Sequence, residues 1–120
     1  MELDNYLESC AGRGRYACFT GQNRLMFITH RTNKYTELDE IKMVIKGGCN
    51  WVQLRMKDNL NLEVAKEVSH FTLFKGGLDC VCCLDDNLEM AIKAGIHCVH
   101  LGKNDMPVSE AWRIIIEKGL

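Results

Sequence analysis

Trp51-Val52-Gln53-Leu54-Arg55-Met56-Lys57-Asp58 opens as an apolar run and ends by alternating polar with apolar residues. Successive side chains of a strand point to opposite faces, so Gln53, Arg55 and Lys57 share one face and Leu54 and Met56 the other. A glycine pair, Gly47-Gly48, precedes this segment, and a helical pattern of Val64, Ala65, Val68 and Phe71 follows it. The stretch therefore reads as the strand of a strand–helix unit.

The same unit recurs on both sides. Upstream, Leu25–Thr29 leads to a helix pattern of Leu38, Ile41, Val44 and Ile45. Downstream, Cys80–Leu84 leads to Leu88, Ala91 and Ile92, and Cys98–Leu101 to Val108, Ala111, Trp112, Ile115 and Ile116. Lys46-Gly47, Lys75-Gly76, Lys93-Ala94-Gly95 and Lys118-Gly119 close the helices. Lysine complements the negative helix end, and glycine takes the left-handed turn beyond it. Pro107 suits a first helical turn, where its missing N–H costs nothing. Four such units in a row predict an α/β fold with a parallel sheet and helical crossovers. Residues 1–23 stand outside the rhythm as an N-terminal extension, and 24–120 form the domain.

The 120 residues suffice for one domain with its own core. A net charge of −1 gives no bulk electrostatic case for nucleic acid or an acidic membrane. No apolar run approaches the ~18–20 residues that span a bilayer. Glu2, Asp4 and Glu8 interrupt the first residues, which lack the apolar stretch of a secretory signal. The 7 cysteines include no pair of Cys-x-x-Cys knuckles. Cys80, Cys82 and Cys83 cluster within one strand, whose alternation prevents them from converging on a single metal. They are expected to pack as small unpaired hydrophobes in a reducing cytoplasm.

Polar clusters stand where three strands end: Gln53 to Asp58, Asp85-Asp86, and Gly102-Lys103-Asn104-Asp105. Arginine offers phosphate a planar fork and lysine a mobile point charge. Frayed, solvated charges at a strand end are the plainer alternative. Asp85, Asp86 and Asp105 each stand shortly before a helix and fit as N-caps. They also follow successive strands ~5 Å apart, close enough for carboxylates to share one magnesium ion. Both readings stand on the residues alone. His30 reads as a loop histidine, His70 as a solvated or packing residue, Trp51 and Trp112 as core or helix–strand packing, and His100 has no assigned role.

Gly47-Gly48-Cys49-Asn50-Trp51-Val52-Gln53-Leu54-Arg55-Met56-Lys57 resembles the GG-x-x-x-(V/I)-QLR-x-K segment of the thiamine phosphate synthase family. Leu84-Asp85-Asp86 falls where that family has a strand ending in Asn-Asp. Ala94 to Pro107 is similar to its GADGVHLGQEDLP segment. The resemblance runs from about Leu25 to Leu120 with its motifs in order. It implies a TIM (β/α)8-barrel transferase, a thiamine-phosphate diphosphorylase. Such an enzyme joins hydroxymethylpyrimidine diphosphate to thiazole phosphate and releases pyrophosphate.

Carried over, the resemblance implies substrate contacts from Gln53, Leu54, Arg55, Met56, Lys57 and Asp85, with Arg55 and Lys57 the catalytic pair. Asp86 and Asp105 are the implied ligands of Mg2+. The implied partners are small molecules, with no nucleic acid or membrane and with a homo-oligomer open, in the cytoplasm. Met56 replaces the usual glutamate, Asp85 an asparagine, Lys103 a glutamine and Asn104 a glutamate. A barrel needs eight units, typically ~200 residues or more, and about four are present here, a half barrel. The expectation is a truncated N-terminal half, with pairing of two copies as the other way to cover its strand edges. A thiazole tautomerase relative and a non-catalytic half-barrel module are the alternatives.

Overall fold

The computed structural model describes residues 23–58, 60–75 and 80–120. The expected extension over 1–23 lies outside these residues except for Asn23, as does Gly76 of the second helix-closing mark. Strands β1 (Phe27–Ile28), β2 (Trp51–Leu54), β3 (Val81–Asp85) and β4 (Cys98–His100) alternate with helices. The helices are α1 (Glu37–Lys46), α2 (Leu62–Lys75), α3 (Leu88–Ala94) and α4 (Val108–Glu117). The strands are parallel and lie in the order β1-β2-β3-β4, each pairing with its successor. Every crossover therefore steps one place in the same direction, the winding of a barrel rather than of a doubly wound sheet.

Crossovers that all step the same way, with the right hand usual for parallel strands, gather the helices on one face. Val52, Leu54 and Leu84 of the sheet, all fully buried, meet Ile41, Ala65, Val68 and Ala91 there. No helix among the described residues is long and apolar enough to cross a membrane.

Local chemistry fixes the helix ends. At α1 the Thr36 hydroxyl accepts from the Asp39 N–H at 3.1 Å, and Asp39 Oδ2 accepts from the Thr36 N–H at 3.0 Å. That reciprocal box lowers the Asp39 carboxyl from its usual range, through the backbone bond first and the hydroxyl second. The first turn of α1 also buries two carboxylates. Glu37 meets the Arg31 guanidinium at 2.8 Å, and Glu40 accepts the His30 N–H at 2.8 Å. Together they fasten the loop after β1.

At α3 the cap is neither Asp85 nor Asp86. Asn87 accepts the Met90 N–H at 2.9 Å, which leaves both aspartates on the strand end. Asp105 caps nothing either, because Pro107 occupies the N-cap of α4 without a side-chain bond. The left-handed turn after α3 falls on Gly95 as expected (φ 75°), whereas after α1 it falls on Gly48 (φ 101°) and not Gly47.

Two expectations are corrected. Trp112 is 62% exposed, in line with exposed Val108 and Ile116, and the buried residue of α4 is its neighbour Ala111. The cysteines do not all pack as unpaired hydrophobes. Cys82 remains a thiol, and burial pushes its pKa up to about 12 against the smaller, opposing effect of its hydrogen bond with Thr72. Cys83 and Cys98, however, form a disulfide, since the β3–β4 register sets them opposite each other with Cα atoms 4.4 Å apart. That separation lies within the range a disulfide spans.

Candidate active site at the strand ends

Four parallel strands release their chains at one rim, and each release carries polar side chains. The anchor is Thr29, 1% exposed, just past β1. Its hydroxyl accepts the Arg55 N–H at 2.8 Å and donates to the Arg55 carbonyl at 3.1 Å. This clamp extends the β1–β2 alignment beyond the ladder and fixes where Arg55 leaves the sheet.

The QLRMK segment divides by face as its alternation requires. Leu54 and Met56 turn to the helices and are buried in the core. Gln53 lies on the other face, 4% exposed and in register with Cys83. Arg55 is half-buried at the rim and Lys57 is exposed. A cavity of about 510 Å³ opens beside them, lined by His30, Arg31, Thr32, Asn33, Arg55 and Lys57 among others. Three cationic side chains thus border one polar hollow.

Beside it, the Asp85 carboxylate is held from two sides. Oδ1 lies 3.0 Å from His100 Nδ1, and Oδ2 lies 3.8 Å from Arg55 Nε. The next residue, Asp86, adopts φ 61°, the left-handed region that an aspartate enters only at a cost. Its N–H donates to the His100 carbonyl at 2.8 Å, holding that turn in place. Partial burial raises the Asp86 carboxyl above the usual aspartate range, and the charges of Asp85 and Asp105 add to the rise.

Asp105 reaches the same neighbourhood from the loop after β4. Its Oδ2 accepts the Gly102 N–H at 2.6 Å, and a Cβ on residue 102 would stand 3.0 Å from that oxygen. A side chain at 102 would crowd that oxygen, and glycine leaves the aspartate room to curl back. Among the described residues no three His, Cys, Asp or Glu side chains converge as a ready-made metal cage. Asp86 and Asp105 lie within electrostatic reach of one another, and a hard cation would offset the part of the Asp86 rise that comes from neighbouring carboxylates rather than from burial.

Three participants were not identified from the sequence. His100 follows Cys98 by two positions, so strand alternation already put it on the Cys98 face, but its partner Asp85 depends on cross-strand register. Arg31 and Thr29 sit at the close of β1, which is too short to show a period.

Residues 25–120 match the family model described as thiamine monophosphate synthase. Thiamine-phosphate synthase of Bacteroides fragilis is 40% identical over 93 residues, spanning 78% of this chain and 46% of the relative. That of Phocaeicola vulgatus is 42% identical over 91 residues, spanning 76% and 44%. Among solved structures, thiamine phosphate pyrophosphorylase from Pyrococcus furiosus superposes with a TM-score of 0.67 at 25% identity, covering 85% of this chain and 46% of that one. The chain spans about half the length of the curated relatives it matches.

Proposed function

Because the chain belongs to the thiamine monophosphate synthase family, we propose that its strand-end rim is the pyrimidine-diphosphate side of that family's transferase site. The observation that carries this reading is the placement of Arg55, Lys57, Asp85, Asp86 and Asp105 at the C-terminal ends of three consecutive parallel strands. Barrels of this kind keep their chemistry at that face.

Arg55 and Lys57 would bind the diphosphate and stabilise the charge that gathers on it as the carbon–oxygen bond breaks. Asp86 and Asp105 fit a magnesium ion, which when bound would supply further positive charge to that leaving group. Asp85 stands where the family has an asparagine, and as a carboxylate it accepts hydrogen bonds without donating. It would therefore orient an N–H of the pyrimidine, with Arg55 and His100 holding it in place. Gln53 would support this row from below, and Leu54 and Met56 would act through the core, since their side chains face the helices. The thiazole phosphate would then attack from above, where positioning matters more than a strong base.

A cytoplasmic setting goes with soluble phosphorylated substrates. Pairing with a second copy is the oligomeric state in keeping with this reading. Titration calorimetry with hydroxymethylpyrimidine diphosphate, with and without magnesium, tests the proposal. Magnesium-dependent binding that Asp86→Ala abolishes is expected. Binding indifferent to both metal and substitution overturns the assignment.

A further inference from the structure

Cys83 and Cys98 occupy the row of the sheet adjacent to Asp85 and His100. Each pair is in register across β3 and β4, and alternation sets both pairs on the face turned away from the helices. Whatever separates the strands at one row is transmitted within two residues to the other.

We propose that Cys83 and Cys98 form a reversible thiol–disulfide switch, worked by small thiol–disulfide couples, that sets the spacing of β3 and β4 at the Asp85–His100 pair. Bonded sulfurs sit about 2 Å apart. Unbonded sulfurs do not stay at that separation, so reduction removes the tie between these two strand positions and leaves the side chains, and the strands that carry them, free to relax. Cys82, on the other face of the strand, packs against the helix-side core and is held as a thiol by burial.

Oxidation proceeds by exchange. The thiolate of Cys98, half-buried where Cys83 is 5% exposed, attacks a small disulfide and expels one thiolate. Cys83 then gives up its proton, attacks the mixed disulfide at Cys98 and expels the second thiol. The protein pair loses two electrons and two protons, and the small disulfide becomes two thiols. A reducing dithiol or thiol couple drives the same steps backward.

The test uses the whole chain in graded ratios of reduced to oxidised glutathione, quenched with acid, alkylated and mapped by mass spectrometry. In parallel, the His100 side-chain resonances are followed by heteronuclear NMR. Cys83 and Cys98 should lose alkylation together as the ratio turns oxidising, and the His100 resonances should shift with them. Cys83→Ala and Cys98→Ala should each abolish that shift. The second, at the less buried position, keeps the test available should the first fail to fold. Alkylation of both cysteines at the most oxidising ratio overturns the switch, and so does a disulfide that closes while His100 stays unmoved. The bearing of the switch on ligand binding rests on the function proposed above. Failure of diphosphate to bind in either state counts against that function alone, because alkylation and NMR judge the switch without ligand.

Discussion

Asp85 Oδ1 and His100 Nδ1 stand 3.0 Å apart across two register-matched strands. An ionised carboxylate can only accept, so Nδ1 carries the shared proton and Nε2 is the nitrogen left facing outward. An acidic side chain thereby orients the imidazole. Asp85→Asn should shift the His100 ring-nitrogen resonances. It should change stability by no more than about 1 kcal/mol, because the ion pair with Arg55 is long and partly solvated. Unmoved His100 resonances in the variant would show that the contact does not orient the ring.

Asp86 should tie stability to pH in the direction opposite to most carboxylates. Its folded pKa is raised, by burial first and by Asp85 and Asp105 next. Folding therefore favours the protonated form. That contribution is full below the unfolded value, about 4, and is lost as pH rises through the folded value. Asp86→Asn does not titrate, so its melting temperature should overtake that of the parent as pH climbs through this window. Thermal unfolding followed across the acid range checks it; a parent–variant difference that stays flat with pH contradicts it.

Gly102→Ala sets a methyl against the Asp105 carboxylate and should push it off the Gly102 N–H. Asp105 is a flexible, half-exposed side chain, so the stability cost should be about 1 kcal/mol or less, the net worth of one hydrogen bond. The larger effect should fall on magnesium, whose influence on diphosphate binding should weaken several-fold or more. Calorimetry at varied magnesium separates the two effects. Equal metal dependence in parent and variant would remove Asp105 from the metal site.

Leu54 and Arg55 are chain neighbours with opposite duties. Leu54→Ala should cost about 3 kcal/mol of stability, read from urea denaturation, because it empties a fully buried position in the core. Arg55→Ala should leave stability nearly intact while lowering affinity for the diphosphate tenfold or more, about 1.4 kcal/mol or greater. Should Arg55→Ala bind as the parent does, the cationic grip lies elsewhere on the rim.

Much of this fold was legible because it rests on local periodicity. The Trp51–Leu54 strand and the alternation of Gln53 and Arg55 against Leu54 and Met56 are properties of a few neighbouring residues, and the structure keeps them. What was not legible depends on register between segments distant in sequence. The Cys83–Cys98 bond and the Asp85–His100 contact need β3 and β4 in one particular alignment, and the Thr29 clamp on Arg55 needs the same of β1 and β2. Asn87, rather than either aspartate, caps α3, because the left-handed turn at Asp86 places the next residue at the helix start. Trp112 fits an apolar helical stripe, but sequence periodicity does not say whether anything packs against that stripe.

The positive φ of Asp86 bears on how the sequence would change under selection. Glycine enters that region without the steric cost a side chain brings, which is of order 1 kcal/mol. Selection in the laboratory for heat resistance alone should therefore converge on glycine at 86. Selection for the magnesium-dependent diphosphate binding proposed above should hold the aspartate. Position 86 is thus a point where two kinds of fitness ask for different residues, and sequencing survivors of each regime would read out which one shaped this chain.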